Sequence, residues 1–397
     1  MEEIDFSVMS YTPERAGNLQ SLLVEFEAKN HVRVNIHSLT WESSWPEILK
    51  FVFQGHGPVV SEVGNTWVTS LAKMNALHPF NNVEVEAMGG AGAFIPAIWP
   101  YDSALGDPVW SIPWLAESRV ILYRRDLLKA AGVDEKTAFT THENLVQTLE
   151  QIQKSDLGPP LIIPTNRTAN TLHSMPSWIW GAGGDFVDEN HRRVAFADPA
   201  AKSGIREYFS LYRFLDPKFH GLSPYEADDI YISGGAAVTI DGPWSVFLPH
   251  EQPEPNILDK TGVALLPGIS CVGASDLVIW KHTPVRHEKI ALNLVNFLTS
   301  KKAQLHSSQH VGLLPARLEA LETKPFSVDP SYQVLVKALK SGRSLPTMRL
   351  WGLIEERLTA AFGNLWEKIL SDPDPDLDAI LDAELDPLAQ RLNHILQ

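Results

Sequence analysis

Cysteine is nearly absent: Cys271 stands alone in 397 residues, which excludes an internal disulfide and any zinc cluster built on thiolates, and leaves the redox compartment unmarked. Long apolar runs are missing as well. No stretch approaches the roughly twenty residues that a helix needs to cross a bilayer. The chain opens at once on an alternating segment, IDFSVMS, so a soluble mature protein is expected, with any secretory signal already removed ahead of Met1. Basic residues are outnumbered, 33 Lys and Arg against 48 Asp and Glu, for a formal net charge of -15. Nucleic-acid backbones and anionic membrane surfaces would be repelled by that balance, and a neutral or cationic solute is the expected partner. Also missing are a GxxxxGK[ST] phosphate loop, a GxGxxG after a strand, an HExxH zinc motif, internal repeats and heptad arrays, so nucleotide and zinc-hydrolase chemistry have no support.

Tryptophan is abundant instead, with 12 residues. Its size keeps it from full burial in most settings and its one N–H must find a partner, so some of these rings are expected to line a ligand site. The length and the 44% hydrophobic content allow more than one core, and two lobes are the simplest division.

Strands and helices alternate from the start. Ile4 to Met9 reads as a strand, Ser10 to Pro13 as the cap of a helix with Leu19, Leu22, Leu23 and Phe26 on its apolar face. A second strand, Val32 to Leu39, delivers Trp41; a third, Val59 to Val63, opens into Gly64, Asn65, Thr66 and Trp67. This alternation implies an α/β fold with a largely parallel, doubly wound sheet whose ligands sit beyond the carboxyl ends of the strands. Tyr11, Trp41, Asn65, Thr66 and Trp67 would share that rim, although Asn65 and Thr66 serve equally well as helix caps.

Farther on, SWIWGAGGDF packs Trp178 and Trp180 against three glycines, a composition that brings backbone close to something flat; read as a strand, it points both rings the same way, toward a ligand or into the core. ISGGAAVTIDGPW runs small residues into a strand, Val238 to Ile240, and a turn of Asp241, Gly242 and Pro243 places Trp244 just past its end. Asp241 is either a ligand group or the former of that turn. The last hundred residues are helical, with Trp351, Ile354, Leu358, Ala361, Phe362, Leu365 and Trp366 at helical spacing.

PVVSEVGNTWVTSLA, SIPWLAESRVILYRRDLLKAAGV, SWIWGAGGDF, ISGGAAVTIDGPW, GVALLPG and VGASDLVIWKH, followed by NLVNFLTSKKAQ and VGLLPAR, together resemble the extracellular solute-binding proteins of ABC importers, in the sugar-binding family that includes maltose-binding protein. The resemblance runs nearly end to end and in the same order. It implies a periplasmic-binding-protein-like fold of two doubly wound α/β lobes joined by a hinge, with extra C-terminal helices and an inter-lobe cleft that closes on a saccharide. By that likeness residues 1–113 and 275–316 form the first lobe, and 114–274 and 317–397 the second.

The resemblance also implies site roles. It sets an aromatic platform at Trp244 and a second at Trp351, an acidic contact at Glu117, and polar contacts at Asn65, Thr66 and Trp67. Many relatives carry Gly-Gly-Ser where this chain has Gly273, Ala274 and Ser275, a departure that bears on ligand identity. The implied partners are a saccharide and the permease subunits of an importer, with no nucleic acid, no cofactor and no metal. A monomer working outside the cytoplasm is expected, without enzymatic activity.

The chemistry of a pyranose suits these residues. Indole rings stack on its C–H face, while carboxylates and amides such as Glu117, Asp241, Asp276 and Asn65 grip hydroxyls in pairs. Other readings stay open at this point. Glu117 and Asp241 could serve a glycoside hydrolase. Arg119, Arg317 and Arg349 could clamp a phosphorylated or otherwise charged solute, or simply bridge lobe boundaries. His306 and His310 stand at i, i+4 spacing, which on an exposed helix means two solvated side chains more often than a metal site.

Overall fold

The computed structural model describes residues 2–9, 13–41, 44–99, 108–247, 256–348 and 350–396. Ten strands are found among them: β1 Glu2–Met9, β2 Val32–Leu39, β3 Val60–Gly64, β4 Ile112–Ser118, β5 Val120–Arg124, β6 Leu161–Ile162, β7 Val238–Asp241, β8 Thr261–Leu265, β9 Val272–Ile279 and β10 Leu314–Pro315. They form two sheets, ordered β10-β4-β9-β3-β1-β2 and β6-β7-β5-β8. The chain divides into two compact units, Met1–Glu117 with Gly273–Asp329, and Ser118–Val272 with Pro330–Gln397.

These divisions differ from the sequence-based ones at 113/114, 274/275 and 316/317. β4 runs unbroken through Ile112–Ser118 in the first sheet, so the first passage falls at its end, after Glu117. Residues 317–329 stay with the first unit because Arg317 is anchored there. Its backbone N–H donates to Gln304 Oε1 at 2.9 Å, and its Nη1 donates to the carbonyls of Met88 at 2.9 Å and Thr299 at 3.1 Å.

In the first unit β1 pairs in parallel with both β2 and β3. Phe6, Ser7, Val8 and Met9 are all buried, as befits a central strand covered on both faces. β9 lies antiparallel to β3 with Gly64 opposite Ser275, so the start of β9 meets the carboxyl ends of the parallel strands. That register makes one polar rim from two segments more than two hundred positions apart in sequence. The helix Pro13–Asn30 buries Leu19, Leu22, Leu23 and Phe26, and the Phe26 ring packs 5.5 Å from that of Phe297.

The second unit has a mixed sheet: β5 is antiparallel to both β7 and β8, and only β6 and β7 run in parallel. Its core is largely helical. SWIWG is a helix, Pro176–Gly181, and not a strand. Proline at its first turn suits a helix start, and Gly183 with φ 80 closes the turn that follows. Two positions apart on a helix differ by about 200°, so Trp178 and Trp180 point in different directions. Trp178 packs against Tyr208 at 5.0 Å and Trp180 against Phe186 at 6.3 Å.

The helix Pro199–Phe209 approaches so closely that a Cβ at Gly204 would stand 2.3 Å from the Trp178 carbonyl oxygen. Tyr208, Phe209, Phe362 and Trp366 complete the cluster, with Phe209 and Trp366 rings 4.7 Å apart. Edge-on and tilted pairs of this kind contribute about 0.5–1.5 kcal/mol each beyond their burial. The helix Trp351–Ser371 buries the whole expected stripe from Trp351 to Trp366.

Candidate functional site

The rim of the first unit is built at the turn where β3 becomes the helix Asn65–Lys73. Gly64 caps that helix with no side-chain bond, so neither Asn65 nor Thr66 has the capping role. Asn65, buried, turns its Oδ1 to accept the backbone N–H of Ala274 at 3.4 Å, tying the turn to β9. Thr66 is half-buried beside it. Trp67 is half-buried with Trp41 at 5.7 Å and Trp45 at 5.3 Å between ring centroids, an indole cluster around the bare backbone of Gly64. Sequence pattern puts Trp45 on a helix and no more; its closeness to Trp67 depends on how the helix Ser44–Gln54 packs.

The start of β9 supplies the next group. A Cβ at Gly273 would lie 2.5 Å from Glu117 Oε1, so the carboxylate of Glu117 rests directly on the glycine backbone. Glu117 itself is half-buried at the end of β4. Ser275 is buried and its Oγ has no hydrogen-bond partner. Ala274, the departure from Gly-Gly-Ser, is buried.

Asp276 is fully buried. Ser111 Oγ donates to its Oδ2 at 2.6 Å, while Oδ1 has no partner. Burial lifts its pKa from 3.8 to about 7, with the Ser111 hydrogen bond acting in the opposite direction. Glu62 is a further acidic group that sequence reasoning does not single out. It is a buried carboxylate on β3 whose Oε2 accepts the Met9 N–H at 2.7 Å, at the carboxyl end of β1. An acid inside the apolar run VSEVG is the signal that could have found it. Tyr11 lies outside the described residues, as does Arg349.

In the second unit the focus is Trp244, half-buried at the start of a short helix just past β7, where the turn places it. Arg119 holds one face of the indole, its guanidinium carbon 4.5 Å from the ring centroid. Arg119 Nη2 also donates to Asn170 Oδ1 at 3.3 Å. Asp241, 2% exposed, accepts the Gly242 N–H on Oδ1 at 2.8 Å and the Ser245 hydroxyl on Oδ2 at 2.8 Å. Its carboxylate therefore builds the turn.

Ser245 Oγ stands 2.9 Å from Asp228 Oδ1 as well. One hydroxyl carries one hydrogen, so the second bond of this chain needs a proton on one of the two carboxyl groups. Burial and then the neighbouring charge of Asp241 push the Asp228 pKa far above the usual carboxylate range, which keeps that proton in place. Asp228, Asp241 and Ser245 form a network next to the turn that carries Trp244, and sequence reasoning misses it.

Three expected ligand rings are not on a surface. Trp178 is 1%, Trp180 5% and Trp351 0% exposed. Trp178 is stacked with His142 at 5.2 Å, and Trp180 lies under the Arg343 guanidinium at 4.8 Å with its Nε1 donating to Asp185 at 3.1 Å. Trp351 sits edge-on to Phe186 at 5.8 Å within the helical core. The apolar stripe that makes each segment a stable helix also draws its tryptophan inward. His306 and His310 are half-buried rather than solvated, their rings 4.6 Å apart, with His306 Nε2 3.3 Å from the Asn18 carbonyl.

The family model for bacterial extracellular solute-binding proteins matches residues 21–334. A Brucella abortus (strain 2308) chain named only as a binding protein is 19% identical over 396 residues, spanning 96% of this chain and 93% of its own length. Among solved structures, an ABC transporter solute-binding protein from Thermotoga lettingae bound with alpha-D-tagatose superimposes with a TM-score of 0.85 at 19% identity, covering 100% of each chain. Maltose-bound MalE3 of T. maritima reaches 0.83 at 19% identity, over 97% of this chain and 99% of that one. At such identity the likeness establishes a common fold.

Proposed function

Because the chain belongs to the bacterial extracellular solute-binding proteins, we propose that it is the receptor of an ABC importer, working outside the cytoplasm, and that it captures a neutral saccharide and passes it to a membrane permease. The family consists of binding proteins, and capture without chemical conversion is the activity inferred here.

The observation that carries the saccharide reading is the company of the half-buried indoles. Trp41 and Trp67 stand close to Asn65, which is tied to Ala274 next to the Gly273 that carries the Glu117 carboxylate, and in the other unit Trp244 is half-buried with Arg119 over one face. Indole faces with hydroxyl-gripping amide and carboxylate groups nearby are the chemistry a pyranose requires. Gly273 lies next to these groups at the start of β9, with Ser275 and Asp276 buried behind it in the first unit. The similar structures holding tagatose and maltose support the same class of ligand.

A charged solute fits less well, since two of the arginines that could clamp it, Arg119 and Arg317, are engaged. Arg119 is 3% exposed and spends its guanidinium on Trp244 and Asn170. Arg317 is spent on two carbonyls and on Glu319 at 2.6 Å. The chain passes between the two units after Glu117, Val272 and Asp329, and closure of a hinge on the solute is part of the proposal. A melting-temperature screen across mono-, di- and oligosaccharides tests it: at least one sugar is expected to raise the transition by several degrees at saturating concentration. A flat response to a broad panel, with a response to phosphorylated solutes, would reverse the assignment.

A further inference from the structure

We propose that Arg119 is the positioning residue of the Trp244 platform, gripping one face of the indole so that a single face is presented to the solute; this builds on the saccharide reading above. The register of the second sheet brings the two together. β5 and β7 pair with Val120 opposite Asp241, so Arg119 precedes that pair on one strand and Gly242 follows it on the other. Trp244 then folds back over the turn. A Cβ at Gly242 would lie 2.0 Å from Trp244 Cζ3, so the ring sits against bare backbone there while Arg119 lies over a face. Glycine and guanidinium together leave the indole little freedom about χ1 and χ2.

The burial of Arg119 shows why its role is indirect. At 3% exposure it offers no surface to a ligand. A buried guanidinium needs counter-charge and hydrogen-bond acceptors, and Asn170 supplies an acceptor at 3.3 Å. Asp228 feels the charges of both Arg119 and Asp241, which places cation and anion within one network. Lysine in place of Arg119 would keep the charge but lose the planar stack.

The test labels the full chain with 5-fluorotryptophan and follows fluorine NMR, with Trp244→Phe assigning the line of that ring. In the Arg119→Met chain the Trp244 line is expected to shift or broaden while the lines of Trp67 and Trp114, in the other unit, stay in place. Affinity for whichever saccharide the thermal screen identifies should fall about tenfold, with Arg119→Lys between the two. A role in stability alone would lower the melting temperature and leave the Trp244 line where it was. A Trp244 line that coincides with wild type in both Arg119 variants would overturn the proposal. Should Arg119→Met fail to fold, Arg119→Lys and Asn170→Ala carry the same comparison, and unchanged lines in both would overturn it equally. If no saccharide moves any line of the wild-type chain, the saccharide reading fails, while the ligand-free spectra still decide the part played by Arg119.

Discussion

Replacing Asp276 with asparagine should make the protein more stable in mild alkali and change it little in acid. Asp276 is fully buried on β9, with one oxygen accepting from Ser111 at 2.6 Å and the other unpartnered. Burial raises its pKa from 3.8 to about 7. The folded chain therefore holds this proton more tightly than the unfolded chain does. Between those two pH values the folded state carries more bound protons, so the free energy of unfolding declines as pH rises through the window and levels off above it. A shift of about three units at about 1.36 kcal/mol each sets a ceiling near 4 kcal/mol, and relaxation around the charge brings the expected effect to about 1–3 kcal/mol. Asparagine has the same shape, carries no titrating proton and can still pair with Ser111. Urea unfolding of both chains at matched pH isolates the term, because every other group cancels in the difference. The variant should exceed wild type by about 1–3 kcal/mol near pH 8 and by much less near pH 4. A difference that does not vary with pH, or a variant weaker than wild type near pH 8, would refute the assignment of a proton-bearing Asp276.

Other perturbations follow from the same geometry. Trp244→Ala should weaken saccharide binding by about 2–3 kcal/mol, roughly thirty- to two-hundred-fold by calorimetry, with a small change in melting temperature. Gly273→Ala forces the Glu117 carboxylate to move, since the new Cβ would lie 2.5 Å from Oε1; the movable side chain limits the loss of stability to about 1 kcal/mol, and binding should drop about tenfold. Gly204→Ala has no such escape, because its Cβ would press on the Trp178 carbonyl at 2.3 Å; about 3 kcal/mol of overpacking should lower the melting temperature by roughly 6–12 °C. Binding of a neutral sugar should change less than about twofold between low and roughly half-molar salt, whereas a charged solute would bind far more weakly in the higher salt.

The fold was legible because it rests on patterns local to the chain. β-α alternation marked the first three strands, and the turn of Asp241, Gly242 and Pro243 announced where Trp244 would stand. The rim residues Asn65, Thr66 and Trp67 came from the same logic, since strand ends in an α/β sheet are where ligands gather. Trp178 and Trp180 went astray because a short apolar segment with tryptophans reads alike as strand or helix, and burial against Tyr208 and Phe186 is settled by distant elements.

Composition and local pattern by themselves determined the class of the protein: acidic, without disulfides, α/β, rich in indoles held at turns. Only the tertiary structure decided which tryptophans remain partly exposed and what stands behind them. Ser111 meets Asp276 across 165 positions and Asn65 meets Ala274 across 209, pairings that no periodicity within a segment encodes. Burial of a carboxyl group, and with it the raised pKa of Asp228 and Asp276, is a property of everything packed around it. Arg119 shows the same dependence: the sequence offers a cation, and the pairing of β5 with β7 turns it toward the face of Trp244.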